Sequence, residues 1–477
     1  MSITHRFKNR FIKDNLITSD TKSIGDFEKT VNELYNDNSS YGNRGWAFEV
    51  FTEAYLKHIR MENEVYVYDS IPYDIRKKLG LTTKDLGVDG IFKQNGEWAS
   101  YQCKFRGQRD IIPFEDISTF FASSENFKYR YVITNSNQIG KNAQHIQRVS
   151  TIGHFDFDKL TPDDFQKILK AIRGKRVSYK PYTPLDHQIQ GINAAKKYFK
   201  NNDRGQYNWA CGTGKTLGAM FTADKLNAKS IIVYVPSLML ATQFRDDWLD
   251  SHTEFSKDLK FVFVASDKDL GKRDSYSDFS YPVTTDVDEL QSLINNFERN
   301  NERYVIISTY QSSHVVVALK NHKIDFAVYD EAHRLAGKKQ SKFANALKTK
   351  AHKHLFMTAT PRIIKSKTKD AEKHIVSMDN KKVFGDVINE ITFAKAKELK
   401  LVTDLKLMIV VIDKKLDEQE LRESTTMLDG EEIRSEQVAC QVALKKAYKK
   451  IQEPVKKIIT FHRTIKGAHD FVKVGMN

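Results

Sequence analysis

Five short apolar runs constrain this chain most. They are "SIIVYVPS" from Ser230, "KFVFVASD" from Lys260, "RYVIISTYQ" from Arg303, "DFAVYDEAH" from Asp325 and "HLFMTAT" from His354. Buried parallel strands have this unbroken apolar character, because both faces of such a sheet are covered. Helical stretches separate the runs. Strands alternating with helices predict an α/β fold with a doubly wound parallel sheet. In sheets of that kind, ligands bind beyond the carboxyl ends of the strands.

Two motifs fall at such ends. "WACGTGKT", Trp209 to Thr216, carries the end of a phosphate-binding loop. Trp209 stands where the usual pattern has its first glycine; Gly212, Thr213, Gly214, Lys215 and Thr216 complete the pattern. Glycines there let backbone N–H groups converge on phosphate oxygens at a helix N-terminus. Lys215 would reach the β- and γ-phosphates of ATP, and Thr216 would ligate Mg2+. The second motif is "VYDEAHR", Val328 to Arg334. Asp330 would contact the metal and Glu331 would polarise the attacking water, so cradle, metal acid and water-orienting group are all present for phosphoryl transfer. "MTATPR", Met357 to Arg362, follows the next strand.

Upstream, "VDGIFKQNGEWASYQCKF" runs from Val88 to Phe105. Its centre, Asn95-Gly96, is the dipeptide that most favours a two-residue type I′ hairpin. That turn sets Gln94 against Glu97, Phe92 against Ala99 and Asp89 against Gln102, with Lys104 emerging beside Gln102. An acid, an amide carbonyl and an ammonium then share one face. Such a cluster suits a divalent cation and a phosphate; a solvated hairpin face is the alternative.

At 477 residues the chain exceeds one core, and about three domains are expected. The expected boundaries are a helical extension at 1–40, a small α/β unit at 41–171, a linker at 172–185, a first motor lobe at 186–380 and part of a second lobe at 381–477. Within 41–171, "RGWAFEVFTEAYLKHI" reads as a helix, Phe114 to Ser123 as another, and "YRYVITN" and "HFDF" as strands. The linker "RGKRVSYKPYTP" is basic and aperiodic. The net charge of +15 favours a polyanion such as nucleic acid. Cys103, Cys211 and Cys440 lie far apart, without metal or disulfide spacing. No signal peptide and no membrane-spanning run are found, so the cytoplasm is the default location.

From about Tyr182 to Phe471 the chain resembles a superfamily-two helicase or translocase of the DEAH-box type, as found in type I, III and ISP restriction enzymes. The resemblance implies RecA-like lobes. "YTPLDHQIQGI" is similar to the adenine-recognition segment, with Gln188 on the adenine edge and Tyr182 against the base. "VPSLMLATQF" and "ISTYQS" are similar to strand-contacting segments, with Ser237, Gln243, Thr309 and Gln311 as candidates. His333 and Thr358 to Thr360 would couple nucleotide state to the strand path. "FHRTIKGAHDF" resembles the first motif of a second lobe. A complete second lobe would continue past Asn477 and supply an arginine to the ATP site. The expectation is therefore the front part of a longer protein, able to bind ATP and slow to hydrolyse it alone.

Residues from about Tyr41 to His154 resemble the Mrr-like branch of the PD-(D/E)xK nucleases, of restriction-endonuclease-like α/β fold. The matching positions are Glu49, Asp89, Gln102 and Lys104. The resemblance implies Mg2+ on Asp89 and the Gln102 carbonyl, Glu49 holding the metal directly or through water, and Lys104 on the attacking water. Glu53, one turn along, is a substitute for Glu49. The whole then resembles a type ISP restriction enzyme that moves on duplex DNA and cuts it, with a methyltransferase and target-recognition part to follow. A repair, replication or mobile-element helicase whose first domain only binds DNA is the alternative, as is a non-catalytic nucleic-acid-binding fragment.

Overall fold

The computed structural model describes residues 2–36, 41–82, 87–136, 139, 149–265, 281, 283–320, 322–338, 342–365 and 375–403, with scattered positions beyond. Cys440 and most of "FHRTIKGAHDF" lie outside the described residues. Residues Met1–Val402 form one compact unit and Thr403–Asn477 a second. In the second, the described residues include an antiparallel pair, Thr425–Leu428 with Glu431–Arg434.

The first sheet runs in the order β1 (Asn63–Val67), β2 (Gly90–Gln94), β3 (Glu97–Lys104), β4 (Tyr129–Thr134), β5 (Val149–Ile152). The first three strands are antiparallel neighbours, and β3, β4 and β5 are parallel. Asn95 and Gly96 take φ of 50° and 83°. Both central residues of a type I′ turn need positive φ, so the expected turn forms and pins the register at Gln94↔Glu97 and Phe92↔Ala99. "HFDF" is not a strand. The strand ends at Ile152, and His154–Phe157 is a helical turn started by Gly153, whose N–H donates to the Asp156 carboxylate at 3.0 Å.

One sheet face packs on α2 (Tyr41–His58) and α4 (Pro162–Ile172), with α1 (Ile24–Leu34) alongside; the other packs on α3 (Glu115–Ser123). Ile3, Phe11, Leu16, Ile17, Phe27 and Val31 join Phe48 and Phe51 in one buried cluster, so the first residues of the chain help to build this core. Cys103 lies in the same cluster, as alternation along β3 requires.

The second sheet is parallel throughout. Its strands are β6 (Arg204–Trp209), β7 (Ser230–Val235), β8 (Leu259–Val264), β9 (Val283–Thr284), β10 (Arg303–Thr309), β11 (Ile324–Tyr329), β13 (Ala351–Thr358) and β15 (Asp386–Ile391), in the order β15-β6-β13-β11-β7-β10-β8-β9. A minor pair, β12 (Gly337–Lys338) with β14 (Ile375–Val376), lies apart from it. Ile231, Val233 and Val235 face one core and Ile232 and Tyr234 the other, as expected for a strand covered on both sides. β15 belongs to this sheet rather than to a second lobe beginning at 381. It pairs in parallel with β6, whose buried Gln206 amide donates to the Met378 and Gly385 carbonyls at 3.1 and 3.0 Å. Without that neighbour the Gln206 donors would be buried and unpaired. No helix among the described residues is long and apolar enough to cross a membrane.

Candidate nuclease and nucleotide sites

The hairpin delivers Asp89, Gln102 and Lys104 to one end of the first sheet. Asp89 sits just before β2, where the ladder ends. Its Oδ2 accepts the Cys103 N–H at 2.6 Å, which ties the carboxylate to β3. Gln102 is 5% exposed, and its Oε1 has no hydrogen-bond partner. Gly87 has a φ of 97°, and a Cβ there would stand 3.3 Å from Gln102 Nε2, so glycine makes room for the amide. Lys104 is half-buried at the strand end.

Glu49 and Glu53 lie one turn apart on α2, and their surroundings separate them. Glu53 is fully buried. It accepts the Thr4 N–H and hydroxyl, each at 2.8 Å, the His5 N–H at 3.0 Å, and a bond from Lys57. Its four hydrogen bonds commit this buried carboxylate to Lys57 and the N-terminal segment. Glu49 is a third exposed, with His5 Nε2 at 2.9 Å from its Oε2. Burial pushes the Cys103 thiol pKa up, and the Asp89 and Glu49 charges push it further. Among the described residues no three His, Cys, Asp or Glu side chains form a metal cluster. A carboxylate, an unpartnered amide oxygen and a second carboxylate fit magnesium, which takes oxygen ligands and keeps several waters.

In the second sheet the loop after β6 opens α6 (Lys215–Lys225). Gly212 and Gly214 take φ of 80° and 77°. Lys215 Nζ donates to the Trp209 carbonyl at 3.2 Å; Thr213 is buried, and Thr216 is half-buried on the first turn. Trp209 replaces the expected glycine without crowding the loop, because its ring turns under the helices. A Cβ on Gly191 or Gly218 would stand 2.3 or 2.6 Å from that ring. Two glycines facing the indole thus accommodate the one missing from the loop, a trade that local pattern matching does not reveal.

Gln188, on α5 (Asp186–Tyr198), is fully buried. Its Oε1 accepts from Leu185 N–H at 2.8 Å and from Tyr182 Oη at 3.2 Å, and its Nε2 donates to the Gly214 carbonyl at 3.2 Å. It braces the phosphate loop, so an adenine contact requires its amide to exchange partners. Tyr182 stacks near Phe221, with ring centroids 6.0 Å apart.

Asp330 and Glu331 follow β11. Burial, reinforced by Glu331, pushes the Asp330 carboxyl pKa up to about 6, while the Lys215 ammonium opposes the shift. Glu331 is held left-handed at φ 49° and ψ 47°, which costs a non-glycine residue roughly 1–2 kcal/mol. His333 Nδ1 is 3.3 Å from Glu331 Oε2 and 2.9 Å from Thr358 Oγ1, bridging the acid pair to the Thr-Ala-Thr strand end. Burial lowers the His333 pKa. Ser237 and Thr309 act as caps, accepting from Leu240 N–H and Ser312 N–H, whereas Gln243 and Gln311 are exposed.

Sequence reasoning missed a seam between the two sheets. Arg60, just after α2, and Arg245, on α7 (Leu238–Asp250), lie 4.1 and 4.2 Å above the Tyr281 ring. Glu62 Oε1 is 3.1 Å from Arg60 and 3.7 Å from Arg245. Tyr179, in the connector, bonds His58 Nδ1 at 2.9 Å.

The two candidate sites lie in two stretches of the chain that match different protein families. Residues 60–171 match the family described as Restriction endonuclease, and residues 181–363 match Type III restriction enzyme, res subunit. The chain therefore carries an Mrr-type nuclease-family domain followed by a helicase-family domain. Its fold is similar to that of the ATP-dependent Type ISP restriction-modification enzyme LlaBIII bound to DNA, at a TM-score of 0.69 and 23% identity, covering 94% of this chain and 31% of that one. It is 27% identical to the probable helicase A859L of African swine fever virus over 60% of this chain and 30% of the relative. It is also 28% identical to the ATP-dependent helicase FUN30 of Saccharomyces cerevisiae, over 41% of this chain and 16% of that protein. The chain spans about 30% of the length of the viral relatives it matches.

Proposed function

We propose that this chain is the nuclease-and-motor portion of an ATP-dependent restriction or defence enzyme, which moves on duplex DNA and cuts it. We divide it into a nuclease domain over 1–171, a connector over 172–185 and a motor lobe over 186–402. The observation that carries the nuclease half is the buried, unpartnered Gln102 oxygen beside Asp89. Bound there, magnesium would lower the pKa of a water and offset phosphate charge. Asp89 and Gln102 would hold it and Glu49 would complete its surroundings. Lys104 would orient the water and stabilise charge developing on the phosphate.

In the motor half, Gly212, Thr213 and Gly214 would cradle the ATP phosphates, with Lys215 leaving the Trp209 carbonyl to meet them. Thr216 and Asp330 would hold the accompanying Mg2+, Glu331 would orient the water, and His333 would pass the change to Thr358. Tyr182 and Gln188 would meet the adenine. A basic chain of this charge should bind DNA less tightly as salt rises.

The test is cleavage of supercoiled plasmid with magnesium, with and without ATP, beside Asp89→Ala and Lys104→Ala; ATP turnover is followed in parallel with Lys215→Ala. Cleavage lost in both nuclease variants, and turnover lost in the third, supports the proposal. Cleavage that survives both variants removes the hairpin as the site. Motor activity without cleavage favours a helicase whose first domain only binds DNA.

A further inference from the structure

Residues 2–7, which look like part of an extension in the sequence, reach the nuclease site. Thr4 and His5 donate their backbone N–H groups to the buried Glu53 carboxylate, fixing this segment across α2. The His5 ring is then 7% exposed, with Nε2 at 2.9 Å from Glu49 Oε2. Its other nitrogen settles the tautomer. The Phe7 N–H donates to Nδ1 at 3.2 Å, so Nδ1 must keep its lone pair, and the proton of the neutral ring sits on Nε2. His5 therefore donates to Glu49. With Oε2 committed, the carboxylate is fixed in rotation and Oε1 is left for the site.

We infer that His5 is a positioning residue of the nuclease site: it fixes the Glu49 carboxylate so that Asp89, Gln102 and Glu49 together take a divalent cation. The inference rests on the nuclease assignment above. It makes the N-terminal segment a functional part of that site, contributed from 44 residues upstream of Glu49. Partners that orient metal-site residues typically change metal affinity by about 10–100-fold when removed.

The test uses Mn2+ as the probe, with binding by the full chain followed from the free-ion electron paramagnetic resonance signal in the absence of nucleotide. Asparagine and glutamine divide the imidazole between them. His5→Gln places an N–H donor where Nε2 stands, and His5→Asn reaches only as far as Nδ1. The expected result is that His5→Gln binds within about threefold of the parent and His5→Asn about tenfold more weakly. In a Glu49→Gln background the two should bind alike. Equal affinities for His5→Asn and the parent would overturn the inference, as would the same Asn–Gln gap persisting without the Glu49 charge. Asp89→Ala separates the two levels. If it abolishes Mn2+ binding while both His5 variants match the parent, only the His5 role falls. If it leaves binding unchanged, the nuclease site itself falls and the inference with it.

Discussion

Glu53→Ala should be the most damaging single change in the nuclease domain, although Glu53 takes no part in the proposed chemistry. Glu53 and Lys57 form a buried pair one helical turn apart, with side chains 0% and 4% exposed. Removing one partner of a buried pair costs about 3–5 kcal/mol, because the other charge is left without compensation. Here Lys57 would keep only the Ser2 carbonyl, at 2.9 Å. The Thr4 and His5 N–H groups would lose their acceptors as well, though release of the segment into water offsets that part. The expected loss is about 4 kcal/mol, a fall of about 8–16 °C in the melting of a domain this size. Glu53→Gln with Lys57→Met removes both charges and should recover much of it. The assay is thermal unfolding combined with hydrogen exchange at Thr4 and His5. A loss below about 1 kcal/mol, with those two amides still protected, would refute the reasoning, since it would mean the segment is held by apolar packing alone.

Gln102→Glu should tighten Mn2+ binding about tenfold, since an added charge outweighs the desolvation of one more carboxylate; calorimetric titration checks this, and weaker binding would remove Gln102 as a ligand. His354 gives a pH signature. Burial, then the Arg204 charge, pushes its pKa down to about 4, against about 6.5 in an unfolded chain. Between those values the unfolded chain binds the extra proton, so stability is intact above about pH 6.5 and falls towards pH 4, by about 3 kcal/mol in full. Melting at pH 7.5 and 5 should show that slope, and His354→Gln should remove its part of it. Gly191→Ala drives a methyl to 2.3 Å from the Trp209 ring, so about 1–3 kcal/mol of stability should go, with weaker ATP binding. Gly45→Ala, on α2 with nothing within 4 Å of the new methyl, should instead stabilise by up to about 1 kcal/mol. Thermal melts of the two variants side by side decide it.

The parallel sheet was legible because five of its strands, β7, β8, β10, β11 and β13, carry unbroken apolar runs, whereas β6 and β15 do not. The hairpin was legible because Asn95-Gly96 fixes both turn and register, and the register fixes which side chains share a face. What could not be read depends on contacts between distant segments. "HFDF" alternates like a strand, and only Gly153 and Asp156 turn it into a helical start. β15 follows a motor domain in sequence and looks like the next lobe, but the buried Gln206 donors claim it for the first. Glu49 and Glu53 are equivalent by spacing, and residues near the N-terminus distinguish them. His5 carries no local signal at all. Glu53 and Lys57 do stand at i, i+4, a pairing signature on any helix; its burial is what the spacing cannot show.

The stacked pair of guanidiniums around Tyr281 bears on where a cut would fall. Arg60, Glu62 and Arg245 are buried, so the seam resembles a domain core more than a hinge; if the proposed function holds, the nuclease domain and the motor lobe should travel as one rigid carriage. The cleavage point would then keep a set distance from the motor's footprint, counted in base pairs, like a blade mounted on a moving gauge. Lengthening the connector with a glycine–serine insert between Arg173 and Val177 should leave that distance unchanged in mapped cleavage products. A blade on a tether would behave otherwise: its cuts would spread further from the motor as the insert grew.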